Sequence, residues 1–392
     1  MTFLKPFLII IRSLLFILFD SIALWVAIVP KHNQQKLVLL VRQDAIGDFI
    51  LWLDTAKEYR KYYPPENYKI VLIGNALWCD LAKELPFWDE VLPINIKAFK
   101  TLSRYRWNIL REVRGFGAEI AIQPTYSREF YHGDSLIRAS NASKKVSSTG
   151  DMSNRNQLKT ILSDRWQTEL ISASQEPQTE LERNAEFLSL LTGTSLPVCY
   201  PVLELQNLPF IPKQEKQSFY VIVPAASINS KKWPTDNFAE LAEKIYQRTG
   251  WIGVICGTKK EHLLGEDILK KCNVPLKNMS GQTRLPELAG LLSQSQLIIS
   301  NDTGTAHIAS AVGRTTVCIL GGGHFGRFAP YPDFPGQTKN FHSVYHKMAC
   351  YGCNWECVYS LKKNEPAPCV SNISVDVVWK KVEKIIEASE VK

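Results

Sequence analysis

Residues 36–48 read KLVLLVRQDAIGD, and this stretch decides the fold. Its first half is a short apolar run rich in valine and leucine, which is typical of a strand buried on both faces of a parallel sheet. The second half turns through a glycine into an apolar helical stretch, which ends before Pro64 and Pro65. A strand that leads directly into a helix predicts the opening of a βαβ unit.

The same alternation continues along the chain. Further apolar strands are predicted at KIVLIG (69–74), 90–93, AEIAIQ (118–123), FYVIVP (219–224), WIGVICG (251–257), QLIISND (296–302) and RTTVCILG (314–321). Helical patterns separate most of them, at about 49–62, 235–248, 260–271, 285–292 and 305–312, with a last one at 375–388. This pattern predicts an α/β fold of two Rossmann-like halves that face each other across a cleft, the usual place for a small-molecule site.

Composition shifts suggest the boundaries between the halves. Residues 140–180 are polar and predict loops or an active-site flap, and residues 205–217 predict an interdomain linker with two prolines. We therefore expect a hydrophobic segment over 1–35, an N-terminal domain over 36–205 and a C-terminal domain over 218–392.

The overall composition excludes several classes of protein. The 392 residues are 45% hydrophobic and 21% charged, near the globular average, so bulk disorder is excluded. A net charge of +8 is too small for a dedicated nucleic-acid binder but suits an anionic membrane surface or a phosphorylated substrate. Nine cysteines spread over a long chain exclude a small disulfide-stapled secreted fold.

The first thirty residues are the one local extreme. Residues 7–29 read FLIIIRSLLFILFDSIALWVAIV, long enough to cross a bilayer core. Arg12 and Asp20 interrupt the run, and a helix lying in the interface could turn both charges toward the headgroups. Three interpretations stay open: a membrane-associated segment, in-plane or spanning; a helix buried on the globular body; and a cleaved signal peptide. Flanking lysines suit an anionic leaflet.

The strongest motif is SNDTGTAHIA at residues 300–309, which follows a predicted strand and opens a helix. Backbone N–H groups at a helix start are unpaired and carry the positive end of the dipole, so they can bind a diphosphate. Gly304 allows a ligand to approach the backbone, Asp302 could cap the helix, and His307 lies one turn further. The alternative is a capped helix with a hydrogen-bonded histidine.

Two other segments leave strands in a similar way. Asp48 ends DAIGD at the carboxyl edge of the first sheet, where open α/β folds place their chemistry; the alternative is simple helix capping. In PAASINSKKWP (224–234), Ser227 can donate to phosphate oxygens, and Lys231 or Lys232 can neutralise them. The alternative there is a solvated basic turn.

Three further patterns are less specific. GGGHFG at 321–326 matches G-x-G-x-x-G, but the following RFAPYPDFP cannot open a helix, so the dinucleotide fingerprint is rejected. Residues 97–114 carry six basic residues and one acid, which predicts either a solvated helical face or a contact with anionic lipid or a phosphorylated acceptor. Four cysteines lie close together in the sequence: Cys350, Cys353, Cys357 and Cys369. They could form a structural metal site or a disulfide or redox-sensitive pair, or they could be free thiols in a loop.

Together these motifs resemble glycosyltransferase family 9, the bacterial heptosyltransferase family of lipopolysaccharide assembly. The stretches that carry the likeness are VRQDAIGDFIL (41–51), PAASINSKKWP (224–234) and NDTGTAHIASAVGRTTVCILG (301–321). It covers about residues 36–390. Two departures concern the last of these regions: Arg314-Thr315 replaces the family's x-Pro, and GGGHFG stands where many members have F-G-P-T.

The resemblance implies a GT-B fold and inverting, metal-independent transfer without a cofactor. The implied donor is a nucleotide-diphosphate sugar of the ADP-heptose kind, and the acceptor is a glycolipid or oligosaccharide, such as the lipopolysaccharide core. Asp48 matches the catalytic base. The remaining motif residues match the family's donor-binding positions: Ser227, Lys231, Asp302, Thr303, Gly304 and His307.

Two rival functions remain compatible with these motifs. One is a non-catalytic nucleotide-sugar-binding membrane protein, and the other is a GT-B type epimerase that acts on the nucleotide sugar itself. For a transferase of this kind the expected location is the cytoplasmic face of the bacterial inner membrane, peripheral or held by a single N-terminal anchor. Nucleic acid is not an expected partner.

Overall fold

The structure is a computed structural model, and it describes residues 4–27, 35–204 and 217–390. The chain divides into two compact units: the first comprises residues 1–45, 55–176 and 182–197, and the second comprises residues 46–54, 177–181 and 198–392. The predicted linker at 205–217 lies outside the described residues, apart from Gln217.

The N-terminal half contains six strands and nine helices within the described residues. Its strands are β1 (Lys36–Arg42), β2 (Tyr68–Asn75), β3 (Glu90–Ile94), β4 (Ile120–Gln123), β5 (Lys144–Ser148) and β6 (Glu169–Ile171). Its helices are α1 (Leu4–Trp25), α2 (Ile46–Ala56), α3 (Tyr59–Tyr62), α4 (Cys79–Ala82), α5 (Ile96–Phe99), α6 (Arg104–Gly115), α7 (Ser135–Ser140), α8 (Gln157–Asp164) and α9 (Glu180–Thr192). A π-helical turn, Phe130–Asp134, precedes α7.

The C-terminal half repeats this architecture. Its strands are β7 (Phe219–Val223), β8 (Ile252–Ile255), β9 (Leu276–Asn278), β10 (Ile298–Asn301), β11 (Thr316–Ile319) and β12 (Phe341–Val344). Its helices are α10 (Thr235–Thr249), α11 (His262–Lys271), α12 (Leu285–Gln294), α13 (Gly304–Ala311), α14 (Pro368–Ser371) and α15 (Val375–Glu390). Two short 3₁₀ turns cover Asn229–Lys231 and Lys259–Glu261.

Each half is built on one parallel six-stranded sheet. The first sheet has the order β3-β2-β1-β4-β5-β6, and the second has the order β12-β11-β10-β7-β8-β9. Counted within each half, both follow the Rossmann order 3-2-1-4-5-6. In β1 every residue after Lys36 is buried, and β7 is buried along its whole length, as expected for strands covered on both faces. The predicted α/β fold with two Rossmann-like halves and an N-terminal hydrophobic helix is confirmed.

In such a sheet the chain reverses its direction of winding between two central strands. These are β1 and β4 in the first sheet, and β7 and β10 in the second. Loops that leave the carboxyl ends of these strands diverge and form a crevice, where open α/β folds bind ligands. The motifs predicted from the sequence follow β1, β7 and β10.

The prediction for residues 140–180 was wrong. The segment contains β5, α8 and β6 rather than loops or a flap. Two of its polar residues, Arg155 and Asp164, belong to a buried ion-pair network in which Arg128 and Arg155 both contact Asp134 and Asp164, and Asp134 is fully buried.

Helix α1 is docked on the first unit by one face. Its buried residues recur every three or four positions at Ser13, Phe16, Asp20 and Ala23, and the adjacent Leu24 is also buried. The opposite face is apolar and exposed, and it includes Leu8, Leu14, Leu15, Leu18, Ile22 and Trp25. By length and composition α1 could cross a membrane, although a soluble core helix or a signal sequence would pass the same test.

The two charged side chains in the apolar run of α1, Arg12 and Asp20, point in different directions. Asp20 points into the protein, where it accepts hydrogen bonds from Nε and Nη2 of Arg106 at 2.7 and 2.5 Å, and both side chains are buried. Arg12 is exposed, with its guanidinium 5.0 Å from the ring centre of Tyr131. The expectation that both charges face the headgroups is therefore wrong for Asp20, because Arg106 of the basic stretch 97–114 binds it.

Candidate functional site

The crevice of the second sheet brings two of the predicted donor-binding residues together. Lys231 ends the 3₁₀ turn after β7, and Asp302 follows β10. The ammonium of Lys231 donates to Oδ2 of Asp302 at 3.0 Å, and both side chains are largely buried. Asp302 was expected to cap α13, but Thr303 occupies the cap position, so the Asp302 carboxylate instead orients Lys231.

Asn301 fixes the geometry of this crevice. It is fully buried at the end of β10, and its amide donates to the carbonyl of Pro224 at 2.7 Å. Its side-chain oxygen accepts the backbone N–H of Trp233 at 3.1 Å. One side chain therefore holds both ends of the loop 224–233 against β10, and that loop carries Ser227 and Lys231.

Lys231 also lies against an aromatic ring. Its ammonium is 4.7 Å from the ring centre of Trp355, a distance at which a cation is attracted to the face of the ring. The Trp355 ring packs against the loop after β11, and a Cβ on Gly321 or Gly323 would collide with it. Gly321 and Gly323 thus allow the segment around Trp355 to approach the sheet. No helix follows the GGGHFG segment in residues 327–340, which agrees with the rejection of the dinucleotide-binding motif.

The first turns of α2 and α13 are in direct contact within the second unit. A Cβ on Gly304 would lie 2.7 Å from Cβ of Ile46 and 3.0 Å from the backbone nitrogen of Gly47. A Cβ on Gly47 would lie 3.1 Å from Cδ2 of His307. The lack of a side chain at Gly304 is needed for this approach, and the partly exposed Asp48 follows Gly47 in the same first turn of α2.

His307 is buried one turn into α13. Its Nδ1 forms a 2.7 Å hydrogen bond with the hydroxyl of Tyr331, and its ring stacks on Phe341 with a centroid distance of 5.3 Å. Burial lowers the pKa of His307 to about 4, against an opposing effect of the Asp302 carboxylate. His307 is therefore neutral near pH 7 and presents its Cδ2–Nε2 edge toward Gly47.

Two predicted donor-binding residues make fewer contacts with the rest of the group. Ser227 is exposed in the turn before Asn229–Lys231. Thr303 caps α13 by position, and its hydroxyl lies 3.3 Å from that of Ser300. Both residues lie in segments that leave the carboxyl ends of β7 and β10, but the structure records no hydrogen bond from either of them to Lys231 or Asp302.

The four clustered cysteines do not assemble a metal centre in the described part of the chain, where no three His, Cys, Asp or Glu side chains are placed to hold an ion. All four are free thiols. Cys369 is the buried member, and its sulfur accepts the backbone N–H of Gly322 at 3.4 Å. Burial raises the pKa of Cys369, and the three neighbouring cysteines add to this effect.

Polar side chains also meet at the crevice of the first sheet. Asp44 follows β1 and pairs with Nε of the buried Arg42 at 2.8 Å. The hydroxyl of Thr125, after β4, donates to Asp44 at 3.3 Å. Arg42 also donates to the side-chain oxygen of Asn184 in α9 at 2.8 Å, so this cation is shared between two elements.

Three contributors to the site were missed by the sequence analysis: Asn301, Tyr331 and Trp355. Asn301 was visible at the end of a predicted strand, and its position before Asp302 could have identified it. Tyr331 and Trp355 lie in irregular segments between β11 and α14, where no periodicity indicates which side chains turn inward.

Comparison with known proteins gives a consistent family match. A family model described as glycosyltransferase family 9 (heptosyltransferase) matches residues 136–354, more than half of the chain. Lipopolysaccharide heptosyltransferase 2 of Escherichia coli is 32% identical over 96 residues, which cover 24% of this chain and 27% of that protein. The chain therefore spans only about a quarter of this curated relative. Lipooligosaccharide heptosyltransferase 2 of Haemophilus ducreyi is 21% identical over 299 residues, 71% of this chain and 80% of that protein.

The fold has a similar match among solved structures. The E. coli ADP-heptose lipopolysaccharide heptosyltransferase II superposes with a TM-score of 0.65 at 17% identity, covering 91% of this chain and all of that chain (100%). At this identity the likeness establishes the shared fold, which is the GT-B type expected from the motifs.

Proposed function

Since the chain belongs to glycosyltransferase family 9, the heptosyltransferase family, we propose that it transfers a heptose or related sugar to a lipopolysaccharide-core or other cell-surface glycan acceptor. The solved relative is named for ADP-heptose, which supports an ADP-linked heptose as the donor. In the reaction the anomeric carbon loses its bond to the diphosphate oxygen and gains one to the acceptor hydroxyl oxygen, with inversion.

Asp48 is the proposed general base. It lies in the first turn of α2, where the helix dipole stabilises the ionised carboxylate that a base requires. It would take the proton of the acceptor hydroxyl as that oxygen attacks. The contact between the first turns of α2 and α13 is the observation that carries this proposal, because the candidate base belongs to one of these turns and candidate donor-binding residues belong to the other.

The leaving diphosphate is proposed to bind at the start of α13, facing Lys231. The unpaired N–H groups of the first turn and the Lys231 ammonium both favour an anion there, and they stabilise the charge that develops on the leaving oxygen. Asp302 accepts a hydrogen bond from Lys231 at 3.0 Å, which orients this cation in the crevice. We expect transfer to continue in the presence of a metal chelator.

Attachment to the cytoplasmic face of the inner membrane is part of the proposal. The exposed apolar face of α1 supports an in-plane helix, while its buried Asp20 is held by the globular body. An in-plane position keeps the carboxylate out of the hydrocarbon core, where it would cost about 2.5–3.5 kcal/mol. A glycolipid acceptor in the same leaflet would then be within reach without leaving the membrane.

The direct test is Asp48→Asn in the purified full chain, assayed for ADP release with ADP-heptose and a heptose-deficient lipopolysaccharide acceptor. We expect transfer to fall about 10²–10⁴-fold, because one positioned base is worth that factor. Donor binding, measured by calorimetry, should be retained. The matched control is Asp236→Asn, which changes an exposed first-turn carboxylate of α10 and should leave transfer unchanged.

The same assay separates the rival functions. Normal transfer by Asp48→Asn would remove this residue from the role of base. If the wild-type chain binds the donor but never transfers it, the non-catalytic binding protein is the better description. If the donor alone is converted to another sugar isomer, the chain is an epimerase.

A further inference from the structure

A cationic cavity of about 620 Å³ opens beside the C-terminal end of α1. Arg114, in the last turn of α6, and Lys145, the second residue of β5, both line it. Because the strands are parallel, the start of β5 lies at the opposite edge of the sheet from Asp44, which follows the end of β1. The cavity is therefore separate from the crevice of this sheet.

Within the described residues, three of the four basic residues of the cavity form no ion pair, and the Asp20 carboxylate acts electrostatically only on the fourth, Arg138. No ion pair is formed by Arg114, Lys145 or Arg165, although neighbouring Lys144 does pair with Glu169. The Nε of Arg114 is buried without a hydrogen-bond partner. Burial lowers the pKa of Arg114, and the adjacent Arg138 lowers it further. An anion would relieve this crowding of like charges.

Aromatic and hydroxyl groups shape the rest of the cavity. The guanidinium of Arg138 is 5.1 Å from the ring centre of Trp166 and donates to the hydroxyl of Ser21 in α1 at 2.5 Å. Arg138 is therefore held in place by α1 itself. Trp25, the last residue of α1, also lines the cavity and is 88% exposed.

Trp25 joins the cavity to the exposed apolar face of α1. That face continues from Trp25 through Ile22, Leu18 and Leu15, at helical spacing. An interfacial helix buries such a face among lipid chains, while its cations and tryptophans lie at the level of the headgroups. Basic groups in that position are attracted to anionic lipids by about 1 kcal/mol each.

We propose that this cavity binds the phosphate of an anionic membrane lipid, through Arg114, Arg138, Lys145 and Arg165, while the apolar face of α1 lies in the same leaflet. The inference rests on the proposed membrane attachment and is independent of the sugar-transfer chemistry. It assigns attachment to a specific phosphate site rather than to the general positive charge of the chain.

The test is co-sedimentation of the full chain with phosphatidylcholine vesicles, with and without phosphatidylglycerol. The triple variant Arg114→Gln, Lys145→Gln, Arg165→Gln leaves Arg138 and its contact with α1 intact. We expect it to lose about tenfold or more of its partitioning onto phosphatidylglycerol vesicles. The matched control removes three exposed lysines of the second unit, Lys260→Gln, Lys270→Gln and Lys380→Gln, and should bind like the wild type.

Each other outcome has a definite meaning. Equal losses in the two triple variants would overturn the site and leave only general electrostatics. Wild-type binding to both vesicle types without preference would overturn the proposed site for an anionic lipid but not membrane attachment, because phosphatidylcholine carries a phosphate without a net negative charge. If the wild type binds no vesicles, and instead self-associates through α1 or binds only inorganic phosphate, both membrane attachment and the lipid site fail. The proposal of a transferase that depends on Asp48 would still stand. Thermal unfolding of both triple variants checks that they fold.

Discussion

His307 is neutral because its surroundings leave no room for a hydrated charge. Phe341 stacks on its ring and Tyr331 satisfies Nδ1, so protonation would place a cation between two aromatic side chains without water. A neutral imidazole can present either a donor or an acceptor to a bound ligand. It adds no positive charge to the crevice, where Lys231 supplies the charge instead.

This state has a measurable effect on stability. The pKa of His307 is lowered to about 4, whereas an unfolded histidine titrates near 6.5, so only the unfolded chain gains this proton between those two values. The contribution is fully present above pH 6.5 and is lost as the pH falls toward 4, by about 3 kcal/mol in total. We expect His307→Gln to show a smaller loss of unfolding free energy over this range.

The comparison must be a difference between variants. His132 and His342 also have lowered pKa values, of about 3 and about 4, because of burial, so the wild type weakens in acid for several reasons. Urea unfolding at pH 7 and pH 5 gives the slope for each protein. Identical slopes for the wild type and His307→Gln would show that His307 titrates normally.

At this scale the sequence predicts which residues stand at the ends of strands, but not what they touch. Asp48, Lys231 and His307 were found because each follows a recognisable strand-to-helix transition. The pairing of Lys231 with Asp302 depends on β7 and β10 being neighbours, which only the assembled sheet determines. The rings of Tyr331 and Trp355 come from segments without regular structure, and their inward direction is set by packing.

At the scale of elements, the described part of α1 forms one buried ion pair with the body, Asp20 with Arg106, besides its packing and hydrogen bonds. Replacing Asp20 with Asn leaves the Arg106 guanidinium buried and uncompensated, which typically costs about 3–5 kcal/mol. We expect Asp20→Asn to lower the unfolding free energy of the first unit by that amount in urea titrations. The control is Asp376→Asn, which removes an exposed carboxylate 3.7 Å from the Lys244 ammonium in the second unit. It should lower the unfolding free energy by less than about 1 kcal/mol.

A second variant tests whether the charge itself is responsible. In Asp20→Ala, Arg106→Met neither charge remains, so the loss should be smaller than the sum of the two single losses. Additive losses would instead mean that the two side chains stabilise the helix independently, through packing and through the bonds from Arg106 to the carbonyls of Phe99 and Tyr131.

Elements with apolar runs were predictable, and those with polar sequences were not. Continuous hydrophobic residues in the sequence predict the strands β1, β2 and β7. β5 reads KKVSS, and it is a strand because Val146 and its serines fit beside β4, within reach of the buried network of Arg128 and Asp134. Its register is decided by tertiary contacts, so local patterning could not reveal it.

At the scale of the whole molecule, the two halves repeat one topology on dissimilar sequences. The sequence predicted this duplication, because alternation of apolar strands and amphipathic helices is preserved in both. The assignment of the acceptor to the first half and the donor to the second stays a prediction. Residues 46–54, with Asp48, belong to the second compact unit, which the strand pattern could not indicate.

In the proposed membrane attachment, the exposed face of α1 is the part of the molecule that contacts lipid. Leu14→Gln with Leu18→Gln removes two exposed leucines, each worth about 1.5–3 kcal/mol on burial in lipid. We expect this variant to move from the membrane fraction to the soluble fraction of cells that express it. Leu190→Gln with Leu263→Gln removes two exposed leucines elsewhere and should not change the distribution. An unchanged distribution of the first variant would exclude α1 as the point of attachment.

The pairing of Asp20 with Arg106 also has a consequence for biosynthesis. The two residues are separated by 86 positions, so at about 5–20 residues per second the ribosome needs roughly 4–17 s to supply the partner. In the proposed attachment, the nascent apolar segment would meet the membrane during that interval, before its docking surface exists. The unpaired aspartate opposes full insertion by about 2.5–3.5 kcal/mol. The residue that later fastens the helix thus first helps to keep it at the surface.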